Sequence, residues 1–300
     1  MAFIFIRGSS MLEKYMHEAY ITEICKNIGM YEEAVQDLLR VMKSYDMSRY
    51  EDVFQKMLSR ATMYEAAEEL HEKVEPEKDG GYRCLLLYLA ATGYTHERYR
   101  ELGISDDVFY NTMDAFREYV NTYKEANGTY GFAVTTWPVR HINCVLFQLG
   151  RLGFEMYDYD EDVYEDGVCI IRKGGPTISV HIPANGKLNH DKVLEAYAAA
   201  RVFFKTYFPA FVPQYFVCGS WLLDTRLREL LPEVSNILKF QSDFTIYKLY
   251  EGADHPLTRV FGHAYEDLDR YTPHTTLEKN MIAYLKAGKP LGGGRGYFRY

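Results

Sequence analysis

From Met11 to about Tyr123 the apolar positions recur at three- and four-residue steps, the period of an amphipathic helix. Within Tyr31–Met42, Val35, Leu38, Leu39 and Met42 fall on one helical face. Val53, Met57 and Leu58 mark a second helix, and Met63 to Val74 continues in the same style. Pro76-Glu-Lys-Asp-Gly-Gly81 interrupts the pattern. Tyr82–Thr92 reads as an apolar helix closed by Gly93, and residues 95–102 and 106–123 as two more, with Ser105 as the N-cap of the second. No segment repeats at a fixed period, so the half is not a helical solenoid.

After Asn127-Gly128 the period shortens towards two. Val145–Tyr157, Gly167–Arg172 and Thr177–Ile182 read as strands, with Asp158–Asp166 as a turn. A helix over His190–Tyr207 leads to a β-rich segment, Gln214–Trp221, and a short helix, Thr225–Leu231. A long strand over Asn236–Leu249, a further strand over Leu257–Gly262, a helix over Thr275–Ala287 and a glycine-rich tail complete the chain. The expected fold class is α/β in the α+β sense. A helical domain spans 11–127, a linker region 128–143 and a mixed-sheet domain 144–300, whose strand–helix–strand unit supplies the one parallel pair.

With 300 residues, 47% hydrophobic and 25% charged, the chain is globular rather than disordered or fibrous. The net charge of −8 argues against a general nucleic-acid binder, but it is unevenly spread. Lys plus Arg against Asp plus Glu is 17 against 30 over residues 1–166, or −13, and 17 against 12 over 167–300, or +5. The later half is therefore the one suited to an anionic ligand; ordinary surface variation is the other reading. The five cysteines are widely spaced and free of any C-x-x-C, which suggests reduced thiols. The apolar run Ala2–Ile6 is too short for a secretory segment and no run is long enough to cross a bilayer. A cytoplasmic protein with a loose first ten residues is expected, without a membrane or nucleic-acid partner.

Two segments invite chemistry. Ser179-Val-His181-Ile-Pro183-Ala-Asn-Gly186-Lys-Leu188 carries a strand through a turn into a helix whose free N–H groups suit an anion, with Asn189 as its cap. A plain connection is the other reading of that turn. Cys218-Gly-Ser220-Trp221-Leu-Leu-Asp224 puts small and polar residues at a strand end, the usual rim of a pocket in α/β sheets. Asp224 also reads as the cap of the next helix. Cys218 and His181 would form a nucleophilic pair if their strands were neighbours. No G-x-S-x-G, H-x-x-x-H, Walker A or G-x-G-x-x-G occurs in a suitable context, and the six acids of Asp158–Asp166 match no metal-loop spacing, so no metal site is expected.

At these residues the chain resembles a bacterial family of N-acyltransferases that join a helical N-terminal domain to a GNAT-like C-terminal domain. The resemblance rests on His181-Ile-Pro-x-x-Gly186-x-Leu188, on Cys218-x-Ser-Trp-Leu-Leu-Asp224 running through Leu-Pro232-x-x-Ser-Asn-Ile237 to Phe240-Gln241, and on Pro273-x-Thr-Thr-Leu277. It implies that Thr177–Ile182 and Gln214–Cys218 are two parting parallel strands that hold the pantetheine of acyl-CoA. Pro183–Leu188 would be the loop that meets the pyrophosphate. Acyl-CoA or acetyl-CoA would then be a cosubstrate rather than a resident cofactor, and the acceptor an amine of unspecified structure. Val180, Ile182, Pro183, Asn185, Gly186, Lys187 and Leu188 are the expected CoA-binding residues, with Lys187, Lys192 and Arg226 as nearby cations. His181 is the expected base, Ile182 N–H the expected carbonyl polariser, and Cys218 and Ser220 the candidates to protonate the leaving thiolate. The loop departs from the usual Q/R-x-x-G-x-G/A by keeping one glycine. That departure motivates an alternative, a non-catalytic module that binds CoA esters or another small anion.

Overall fold

The computed structural model describes residues 10–74 and 78–300. Of the expected loose first ten residues, the first nine lie outside the described residues, as do Pro76 and Glu77 of the expected break, while Ser10 caps the first helix. The chain divides into two compact units between Phe147 and Gln148.

The first unit is helical: α1 Met11–Tyr15, α2 Glu18–Asn27, α3 Glu32–Ser44, α4 Glu51–Met57, α5 Met63–Val74, α6 Tyr82–Leu102, α7 Asp106–Met113, α8 Ala115–Asn127 and α9 Val139–Ile142. A reciprocal capping box between Ser10 and Glu13 starts α1. Helix α6 is buried on every side from Tyr82 to Gly93, as its apolar run Cys84–Ala91 requires, and α1, α2, α3, α5, α7 and α9 pack around it. Gly93 does not end this helix. A Cβ there would lie 2.2 Å from the Tyr15 ring, so the glycine admits an aromatic side chain rather than a turn. The stop comes at Gly103, whose φ of +74° is the left-handed conformation a helix C-terminus favours. The expected helix over 106–123 is two, α7 and α8, joined at Asp114. Residues 128–143 are packed into this unit: Phe132 is fully buried, Tyr88 donates to Thr135 O, and Thr95 donates to Ile142 O.

The second unit is a mixed sheet with helices. Its elements are β1 Leu146–Leu149, β2 Leu152–Asp158, β3 Val163–Glu165, β4 Val168–Ile171, β5 Pro176–His181, α10 His190–Tyr207, β6 Tyr215–Ser220, α11 Asn236–Ser242, β7 Thr245–Glu251, α12 Asp254–Phe261, α13 Thr276–Lys286 and β8 Gly292–Arg299. Six strands lie in the order β1-β2-β5-β6-β8-β7, and β3 with β4 forms a separate hairpin. Strands β5 and β6 are parallel, joined by α10, while β2–β5, β6–β8 and β7–β8 are antiparallel.

Several local expectations are corrected. Val145–Tyr157 is two strands, because Gly150 at φ +66° turns the chain between them. Asn236–Ser242 is a helix rather than the start of a strand, opened by Ser235, whose hydroxyl accepts Ile237 N–H at 3.2 Å. Residues 254–261 are a helix too: Leu257, Val260 and Phe261 turn one face towards Met281, Ile282 and Tyr284, and Gly262 ends it at φ +81°. A short apolar run fits either period, and packing chose the helix. The largest revision concerns Gly292–Gly296: the expected glycine-rich tail lies inside β8, between β6 and β7. A Cβ on Gly292 would stand 2.0 Å from Tyr250 O and one on Gly294 2.5 Å from Leu223 O, so these glycines permit close approach of backbones.

Candidate active site

The parallel pairing of β5 and β6 is short. Ile178 faces Phe216 and Ser179 faces Val217, and there the register ends, although β5 continues to His181 and β6 to Ser220. The two strands part at their C-terminal ends, where α/β sheets place their crevices.

Alternation along each strand sorts the candidates by face. His181 shares a face with Ser179 and hence with Val217, its neighbour in register. Cys218 is one residue on and points the other way, with Phe216, onto the face where Phe154, Phe298 and Tyr197 of α10 stack. Its thiol is buried and pushed up to about 12 by desolvation. The structure therefore does not bring Cys218 to His181, and the nucleophilic pair is corrected: adjacent strands are not enough when the side chains leave by opposite faces. Ser220 shares the face of Cys218, is buried, and accepts Leu222 N–H at 3.2 Å as the cap of the following turn.

What His181 does meet is Glu155. In the β2–β5 ladder His181 stands opposite Gly153, which offers no side chain, and diagonally from Glu155, which stands opposite Ser179. The imidazole leans across to that carboxylate, with Nε2 2.8 Å from Glu155 Oε2. The Glu155 side chain is 4% exposed and that of His181 27%, so a buried acid lies beneath a ring that reaches solvent. A carboxylate accepting from Nε2–H places the neutral ring's lone pair on Nδ1.

Of the expected CoA-binding residues, Val180 is buried in the core, Ile182, Pro183 and Leu188 are half-buried, and Asn185, Gly186 and Lys187 are exposed. Asn189 caps α10 as expected, its side chain accepting Lys192 N–H at 3.2 Å. The turn is held from below by Arg151, in the β1–β2 connection. Its Nε donates to Lys187 O at 3.0 Å, and its Nη2 to Pro183 O at 2.9 Å and Gly186 O at 2.7 Å. Burial lowers the guanidinium's pKa from its ordinary value. Lys187 is exposed and Lys192 pairs with Glu195 at 2.7 Å. Arg226 is elsewhere: it bonds Asp224 at 2.6 Å and Tyr250 O at 3.1 Å, beside β7 and two strands from β6, so it is removed from the cations expected at the crevice.

The acidic turn is bonded to the sheet. Asp160 and Glu161 reach back to Arg295 at 2.7 and 2.8 Å, and Glu161 also accepts from Lys248 and Tyr247. Among the described residues no group of three or more His, Cys, Asp and Glu is placed to hold a metal ion. None of the described helices is long and apolar enough to cross a membrane.

Glu155 and Arg151 are the two residues that sequence reasoning passed over. Glu155 left a trace, a lone charge in Leu152-Gly-Phe-Glu-Met-Tyr157. Arg151 left none, because an arginine in a hairpin turn is ordinary.

Comparison with known proteins agrees with this architecture. Residues 146–298 match the model of the GNAT-like C-terminal domain and residues 19–144 that of the N-acyltransferase N-terminal domain. The chain belongs to this family of N-acyltransferases with a GNAT-like C-terminal domain. Among solved structures, an acyltransferase in complex with decanoyl-CoA and teicoplanin is similar at 22% identity and a TM-score of 0.74, over 93% of this chain and 87% of that one. A mutant acyltransferase in complex with octanoyl-CoA is similar at 22% identity and 0.76, over 94% and 88%. An acyltransferase with CoA and 10C-teicoplanin gives 21% identity and 0.75, over 93% and 87%. A search of the curated proteins finds no match.

Proposed function

We propose that the protein transfers an acyl group from acyl-CoA to an amine, with His181 as the base. The observation that carries the reading is the early end of the β5–β6 pairing, with a half-buried imidazole on a buried carboxylate at the point where the strands part. The thioester would enter between the strands with its phosphates over Pro183–Leu188. The amine attacks the thioester carbonyl, Ile182 N–H steadies the oxyanion, and His181 takes the amine proton. Collapse breaks the C–S bond, and the imidazolium returns that proton to the departing sulfur, so an amide and free CoA leave. The similar acyltransferase in complex with decanoyl-CoA and teicoplanin supports an acyl-CoA donor.

The test is release of free CoA thiol from acetyl-, octanoyl- or decanoyl-CoA in the presence of amines, read with a thermal-shift titration of the same donors. Amine-dependent thiol release with a raised Tm supports transfer. A raised Tm without release from any donor and amine pair overturns catalysis and leaves a binding module; no shift and no release overturns both.

A further inference from the structure

We propose that Arg151 is the positioning residue that makes Pro183–Leu188 an anion cradle, in place of the glycines this loop lacks. The inference rests on the acyl-CoA reading above and adds to it the device by which the phosphates are held.

In a trans peptide C=O of one residue and N–H of the next point in opposite directions, and the described chain has no cis bond. Arg151 draws the carbonyls of Pro183, Gly186 and Lys187 towards itself. The N–H groups of Ala184, Lys187 and Leu188 must therefore face away from it, towards the exposed side of the loop. Among the described residues none of these three N–H groups has an acceptor. Successive N–H groups turned to one side are the makings of an anion-binding nest. Glycine-rich loops reach that arrangement through backbone freedom, whereas here a single side chain imposes it with three charge-assisted bonds on a loop with one glycine.

The charge of Arg151 is also left over. Among the described residues its bonds are all to backbone carbonyls and none to a carboxylate, and its Nη1 is buried with no partner there. A cation therefore lies beneath the loop, on the carbonyl side, while the N–H groups face the ligand. Arg151 serves an anion twice, by turning the amides and by supplying a net positive charge. Lysine is no substitute, since an ammonium cannot span three carbonyls with the fixed geometry of a guanidinium.

The experiment compares donors with and without phosphates. Binding and turnover are measured with acetyl-CoA and with acetyl-pantetheine, which keeps the thioester and lacks the pyrophosphate, for the wild type, Arg151→Ala and Arg151→Lys. The ratio of kcat/KM for acetyl-CoA to that for acetyl-pantetheine is expected to fall about tenfold or more in both variants, so that the preference for the phosphorylated donor collapses. A variant that keeps the wild-type preference overturns the proposal, as does one that loses both donors equally while remaining folded. Should the variants fail to fold, amide exchange in the wild type decides: protection of Ala184, Lys187 and Leu188 by CoA but not by pantetheine supports the cradle, and its absence refutes it. A wild type that ignores acyl-CoA altogether refutes the donor reading instead, so the two failures are distinct.

Discussion

The segment from Cys218 to Gln241 carries a long run of distinctive residues, and the segment from His181 to Leu188 a short one, yet their roles run opposite to their lengths. In the longer segment the buried polar groups are used internally. Asp224 is buried, accepting Arg226 N–H at 3.0 Å and Gly292 N–H at 2.8 Å, besides pairing with the Arg226 guanidinium. Gln241, also buried, donates to Leu222 O and Asp224 O and accepts from Arg228. These bonds knot the end of β6 to α11 and to the start of β8, and they hold the β6 side of the crevice. In the shorter segment the side chains sit at a strand end and in an exposed turn, and their supports, Glu155 and Arg151, come from elsewhere in the chain. A specific-looking signature can thus mark an architectural knot, because a buried polar network tolerates few substitutes.

Four experiments break or sharpen that contrast. Asp224→Ala should have the largest effect, about 3 kcal/mol of stability lost in urea unfolding, because it leaves the buried Gly292 N–H without its acceptor and takes the carboxylate from the half-buried Arg226 guanidinium. Turnover per folded molecule should change far less; a stable but inactive variant would make Asp224 chemical rather than architectural. His181→Ala should cut turnover about a hundredfold or more with acyl-CoA binding nearly intact. Loss of binding and of Tm together would reassign His181 to structure. Cys218→Ala should leave turnover within about twofold, since the thiol lies on the far face from His181; a hundredfold loss would return it to the mechanism.

The fourth effect is a pH dependence. Burial would raise the Glu161 carboxyl, but Lys248, Tyr247 and Arg295 outweigh it and hold the group down to about 2, against an ordinary value of 4.5. A folded-state value below the unfolded one contributes stability that is complete above about 4.5 and lost as the pH falls towards 2. Unfolding curves between pH 5 and 2.5 should show that slope in the wild type and a shallower one in Glu161→Gln. Parallel curves would mean that the acidic turn does not hold the sheet face.

Within the helical half the periodicity is readable because each helix buries one stripe, and the first half of α6 is plainly an apolar helix. Local pattern misleads where one residue type serves two ends. Gly93 looks like a stop and is a seat for the Tyr15 ring; Gly292–Gly296 looks like slack and is a strand under close backbone contact. Short apolar runs such as Leu257–Phe261 fit either period until neighbours decide.

By itself the sequence determined the helical and mixed-sheet halves, the β5–α10–β6 crossover and the place of His181 at a strand end, since all of these are written in local periodicity and caps. Tertiary structure alone decided what His181 meets. Which face a side chain leaves by depends on register, and register sent Cys218 to the α10 side and set Glu155 diagonal to the imidazole. It also carried Arg151 beneath a loop more than thirty residues away, a contact of 2.7 Å at Gly186 O that no local pattern encodes because only the folded sheet brings the two turns together.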